Sequence, residues 1–68
     1  MDKFRLEYET KRRGLTVRDL CAAARISQST YYKKVKGQSE FTQSEIQAIV
    51  DLLGLDSPVG IFFSDKVS

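Results

Sequence analysis

The sequence predicts an all-α fold of five helices, and three observations carry that reading. A helix-start device is used three times, glycines fall where helices should stop, and one segment shows an apolar stripe at helical spacing. The start device places an apolar residue before a Ser or Thr: Leu15-Thr16, Ile26-Ser27 and Phe41-Thr42. The hydroxyl can accept from an otherwise unpaired N–H of the first turn, while the apolar residue packs on the fourth helical position. Thr42 with Glu45 makes a full capping box, and Thr16 with Asp19 a shorter version of it. Gly14, Gly37 and Gly54 follow the expected helix ends, where a left-handed residue closes the last turn.

Taken in order, the helices are expected near 2–13, 16–24, 28–36, 42–53 and 57–63. The first is charged along its length, in MDKFRLEYETKRR. The second offers Leu20, Cys21 and Ala24 to a core, and the third Tyr31 and Val35. In the fourth, Ile46, Ile49, Val50 and Leu53 follow an i, i+3, i+4, i+7 pattern, so one face is buried. Ser57-Pro58 reads as the cap and first position of a short last helix. Only GIFF is apolar enough to tempt a strand assignment, and it is too short and isolated. With 68 residues and no repeat or linker, residues 1–68 read as one domain with one modest core.

Composition excludes much. There is no His, hence no usual general base or imidazole metal ligand. The single Cys21 cannot form an internal disulfide, sits on an apolar helix face, and fits a reducing cytoplasm. No Cys and acid cluster has metal-ligand spacing, and the isolated glycines make no phosphate-cradling loop. The expectation is a non-enzyme without cofactor or small-molecule ligand. No apolar run reaches membrane-spanning length and no signal peptide is visible, so a cytoplasmic protein is expected.

The net charge of +2 is unevenly spread. Up to Gly37 ten Lys and Arg face four acids, a net of +6, whereas from Gln38 onward one Lys faces five acids, a net of −4. The basic half coincides with the second and third helices, as an electrostatic footprint for phosphate should, although a solvated basic surface has the same composition. Residues 15–37 place a short capped helix, a four-residue turn and a second polar and basic helix in sequence. One helix of such a pair fits the major groove of DNA while its partner holds it there.

Gly14-Leu15-Thr16, Asp19-Leu20-Cys21, Ile26-Ser27, Ser29-Thr30-Tyr31 and Lys36-Gly37 resemble the Cro/repressor type of helix-turn-helix protein. STYYKKVKGQSEFTQSEI and LGLDSPVGIFFSDKVS are similar to small regulators of temperate phages and prophages of Gram-positive bacteria. The resemblance implies a compact five-helix fold of the lambda-repressor type, binding of a double-stranded DNA operator, and often a homodimer. Three positions depart from the pattern. Arg25 stands where the family usually has Gly, so a left-handed turn would be strained there by about a kcal/mol. Val17 replaces a Gln that in relatives often touches phosphate. Lys34 occupies a position commonly apolar, with Val35 apolar instead, which implies a third helix that is rotated or packed differently.

At about 100° per residue, Gln28, Ser29, Tyr32, Lys33 and Lys36 share one broad arc of the third helix, with Tyr31 and Val35 outside it. The Gln28 amide suits the N6/N7 edge of adenine, and Lys33 suits guanine O6/N7. Ser29 is short enough for close approach. The Tyr32 ring could lie on a thymine methyl, its hydroxyl could meet a phosphate, or it could cover the core edge. The resemblance assigns base contact to the first two turns, carried here by Gln28, Ser29 and Lys33, with Thr30 and Tyr32 as further candidates. Tyr31 is expected in the core. Phosphate contacts are expected from Thr16 and Arg18 at the start of the second helix, and from Lys34, Lys36, Gln38 and Ser39 at the far end of the third. The Lys11-Arg12-Arg13 run reads first as favourable charge at a helix C-terminus.

Ile61, Phe62 and Phe63 either close the core beneath the first and fourth helices or join a two-fold partner. Two functions from different classes therefore stand. One is a sequence-specific transcriptional regulator; the other is an interaction module, an antirepressor or modulator, that keeps the fold but binds another regulator.

Overall fold

The computed structural model describes residues 1–56 and 58–62, the side chain of Val59 excepted. Among the described residues five helices follow in order: α1 (Lys3–Arg12), α2 (Val17–Ala24), α3 (Gln28–Val35), α4 (Gln43–Leu53) and α5 (Val59–Phe62). Each predicted hydroxyl cap operates. Thr16 and Thr42 cap α2 and α4, and both capping boxes close, with Asp19 and Glu45 accepting from the cap backbone at 2.8 and 2.9 Å. Ser27 caps α3 by accepting from the Thr30 N–H at 3.1 Å.

A fourth cap lies at the beginning of the chain. Asp2 accepts from the Arg5 N–H at 3.0 Å, placing a carboxylate at the positive end of the α1 dipole. Its own N–H donates to the Ile61 carbonyl at 2.7 Å, which fastens the start of α1 to α5. The last helix begins one residue later than the expected proline start: Pro58 precedes it and its carbonyl accepts from the Phe62 N–H at 2.8 Å. The expected cap Ser57 and the ring of Phe63 lie outside the described residues.

Leu6 from α1, Leu20 from α2, Ile49 and Leu53 from α4 and Ile61 from α5 are the fully buried side chains, so four of the five helices meet in one core. α3 joins through Tyr31, which is buried and sits edge-to-face with Phe41, itself edge-to-face with Phe62. This aromatic row links α3, the loop before α4 and α5, in the arrangement that ring quadrupoles favour. α2 packs most extensively on α4 and also on α3. α3 is thus carried on one side of a frame made by the other helices.

The turn between α2 and α3 is closed by Arg25 at φ 62° and ψ 44°, the one non-glycine residue with positive φ among the described residues. The predicted strain is therefore present, because a Cβ in this region crowds the carbonyl. Arg25→Gly is expected to stabilise the fold by up to about 1 kcal/mol, and thermal melting measures it as a rise of several degrees. A lower melting point would show that the left-handed turn is not strained.

Candidate nucleic-acid interface

α3 presents two faces of different chemistry. Gln28, Ser29, Tyr32, Lys33 and Lys36 are exposed, as the angular reading expected, and Tyr31 is buried. Between Asp19 and Glu40 the chain contains no acidic residue, so this arc carries no carboxylate of its own. Tyr32 is half-exposed, stands edge-to-face with Tyr31 at 5.4 Å between centroids, and lines a groove with Phe4, Val17 and Val35. Its ring therefore covers the core edge, one of the three roles its type allows, while leaving surface free.

Thr30 is placed differently from the other candidates. It is half-buried and its hydroxyl accepts from the Ser27 hydroxyl at 3.0 Å, which ties it to the α3 cap rather than to the exposed arc. At the start of α2, Thr16 and Arg18 are exposed, but the Thr16 hydroxyl donates to Asp19 at 3.1 Å. The Asp19 carboxylate already occupies the positive end of this helix, a consequence of the capping box. Gln38 and Ser39 are exposed beyond α3, in the loop toward α4.

Lys34 departs from its expected place on the phosphate-contacting edge. Its side chain is 8% exposed, and its ammonium is held by the Glu45 carboxylate at 2.5 Å, 5.8 Å above the Phe41 ring. The departure shows in how α3 packs on α4. Lys34 fills the core position, its aliphatic stem replacing an apolar side chain, and its charge crosses to α4. The same 100° count that isolates the exposed arc puts Lys34 between Thr30 and Tyr31, on the inner face. Position carried the signal that residue type obscured. Burial by itself would raise the Glu45 carboxyl, but hydrogen bonds from Lys34 and the Thr42 backbone outweigh it and hold the carboxyl below its ordinary value.

The basic run ending α1 is engaged locally. The Arg13 guanidinium bonds to the Glu9 carboxylate and donates to the Glu9 carbonyl at 3.2 Å, as expected for a cation at a helix C-terminus. Its hydrogen bond holds the Glu9 carboxyl below the usual range. Lys11 pairs with Glu7 at 3.5 Å. These cations are partly neutralised within α1, unlike Lys33 and Lys36.

Two residues with reactive side chains belong to the core. Cys21 is buried and burial pushes its thiol up, which disfavours the thiolate. Tyr31 is pushed up to about 12, chiefly by burial. Ile61 and Phe62, offered by the sequence either to the core or to a partner, are 1% and 7% exposed. They are covered by their own chain and present no free docking surface. No helix among the described residues is long and apolar enough to cross a membrane.

A family model described as a helix-turn-helix domain matches residues 9–59, from the end of α1 into α5. The chain belongs to the helix-turn-helix domain family. Comparison with curated proteins yields no match, and comparison with solved structures yields none. In this helix-turn-helix domain the two namesake helices are α2 and α3, and the αL residue between them is Arg25. Membership makes the exposed arc of α3 the surface on which a DNA-binding role is to be sought.

Proposed function

We propose that the protein is a sequence-specific double-stranded DNA-binding transcriptional regulator of the Cro/repressor kind, with α3 entering the major groove. The observation that carries the reading is the exposed, acid-free arc of Gln28, Ser29, Tyr32, Lys33 and Lys36 on the second helix of the pair. Gln28, Ser29 and Lys33 read base edges, with Tyr32 beside them. Arg18, Lys36, Gln38 and Ser39 set register on phosphates, with Thr16 contributing at the start of α2. Thr30 supports the first turn through its hydroxyl, and Lys34 acts from within by fixing α3 to α4.

Residues 1–68 work as one domain in the cytoplasm, and a homodimer forms on a palindromic operator. The sequence resemblance to phage and prophage regulators makes control of a phage developmental switch or of integration genes the fitting role. A second reading, docking on another regulator, is favoured by Phe4 and Tyr8, 73% and 60% exposed on α1.

Selection of preferred sites from random DNA, followed by titration at several salt concentrations, tests the proposal. Gln28→Ala is expected to cost about 1–3 kcal/mol on the selected site and to relax preference at a few base pairs. Lys36→Ala should weaken selected and random duplexes alike and flatten the salt dependence. Equal losses on both duplexes for Gln28→Ala would remove that residue from base readout. No binding at low salt would remove the DNA reading altogether.

A further inference from the structure

We infer that Arg25 holds a DNA phosphate beside the start of α3, at the end of the helix opposite Lys36; this rests on α3 entering the groove as proposed above. Arg25 closes α2 in the left-handed conformation, which Gly adopts freely and Asn or Asp more readily than Arg. Its backbone task, donating its N–H to the Cys21 carbonyl, is one that any of those residues performs. The side chain is exposed, and its guanidinium makes no ion pair or hydrogen bond with any described residue. A strained residue whose guanidinium has no polar partner among the described residues directs attention to a partner outside the chain.

Placement supplies the partner. Arg25 lies two residues before Ser27, the N-cap of α3, and so precedes Gln28 and Ser29 at the end expected to meet base edges. Lys36 is the C-cap residue of the same helix. Eight residues of α-helix span about 12 Å, and the major groove is about 12 Å wide. Cations at both ends of α3, with no acid between Asp19 and Glu40, therefore bracket the reading surface and reach toward phosphates of both strands. A guanidinium meets a phosphate through two parallel N–H donors, which suits a contact that fixes register.

Fluorescence anisotropy on a duplex carrying the selected site and on a random duplex tests this with Arg25→Gln, Arg25→Lys and Gln28→Ala. Arg25→Gln and Arg25→Lys keep a side chain at the strained position, so melting temperature should distinguish them little. Loss of one phosphate contact should reduce the slope of log affinity against log salt by about 0.9 and lower affinity roughly eightfold at 0.1 M salt. Arg25→Gln is expected to show both losses equally on the two duplexes, and Arg25→Lys to retain the wild-type slope. A wild-type slope in Arg25→Gln, with Gln28→Ala behaving as proposed, would overturn the Arg25 assignment alone. Failure of the wild-type protein to bind either duplex would overturn the groove reading and this inference together.

Discussion

Replacing Glu45 with Ala is expected to destabilise the protein by roughly 2–3 kcal/mol, because it removes the charged partner of the nearly buried Lys34 and one side of a capping box. Lys34 and Glu45 are 8% and 13% exposed, and their pairing at 2.5 Å supplies the partner that burial withholds. The substitution also opens the α4 capping box, since the same Glu45 oxygen accepts from the Thr42 N–H. Adding Lys34→Met should recover most of the loss, leaving about 1 kcal/mol for the cap. Chemical denaturation of the two single variants and the double variant checks this. A loss below about 1 kcal/mol in Glu45→Ala would mean that Lys34 finds water or another acceptor.

Acid should act on the same pair. The folded-state Glu45 carboxyl lies below its ordinary value of 4.5, so its contribution is intact above that value and is lost as pH falls through the folded one. Glu9 shifts in the same direction. Glu45→Gln should therefore flatten the acid limb of the stability curve without abolishing it. An unchanged acid limb would show that Glu45 does not titrate with folding.

Leu20→Ala should cost roughly 2–5 kcal/mol, a large share of the stability available to a chain of this size. Leu20 is 1% exposed and lies on α2, which packs on both α4 and α3. A void there weakens the core that α2 shares with α4. The melting temperature should fall by at least ten degrees, taking several degrees per kcal/mol. DNA affinity should fall only where the folded fraction falls. A variant that melts normally would contradict the packing of α2; one that stays folded yet binds no DNA would show that α2 positions α3 more finely than its fold requires.

The helices were legible because local chemistry marks their ends. Thr16, Ser27 and Thr42 act where the sequence placed them, and the αL positions at Gly14, Gly37 and Gly54 follow from turn chemistry, whereas that at Arg25 is expected only from the resemblance to a family with Gly there. The Asp2 cap is less legible, because this acid stands within a run of charged residues and no apolar residue precedes it to mark a helix start. The inner place of Lys34 is not legible from residue type, because a lysine in a basic segment reads as a surface charge. Its partner is eleven residues away on another helix, beyond the range of a local pattern. The withdrawal of Ile61 and Phe62 into the core likewise depends on how α5 folds back to meet Asp2, a tertiary fact that composition does not hold.

The cross-link from Lys34 to Glu45 bears on attempts to retarget the protein. Transplanting α3 as a cassette into a related scaffold would carry an orphan cation unless position 45 travelled with it. Exchanging only Gln28, Ser29, Tyr32 and Lys33, the residues proposed to read bases, leaves that linkage untouched, because none of the four takes part in it.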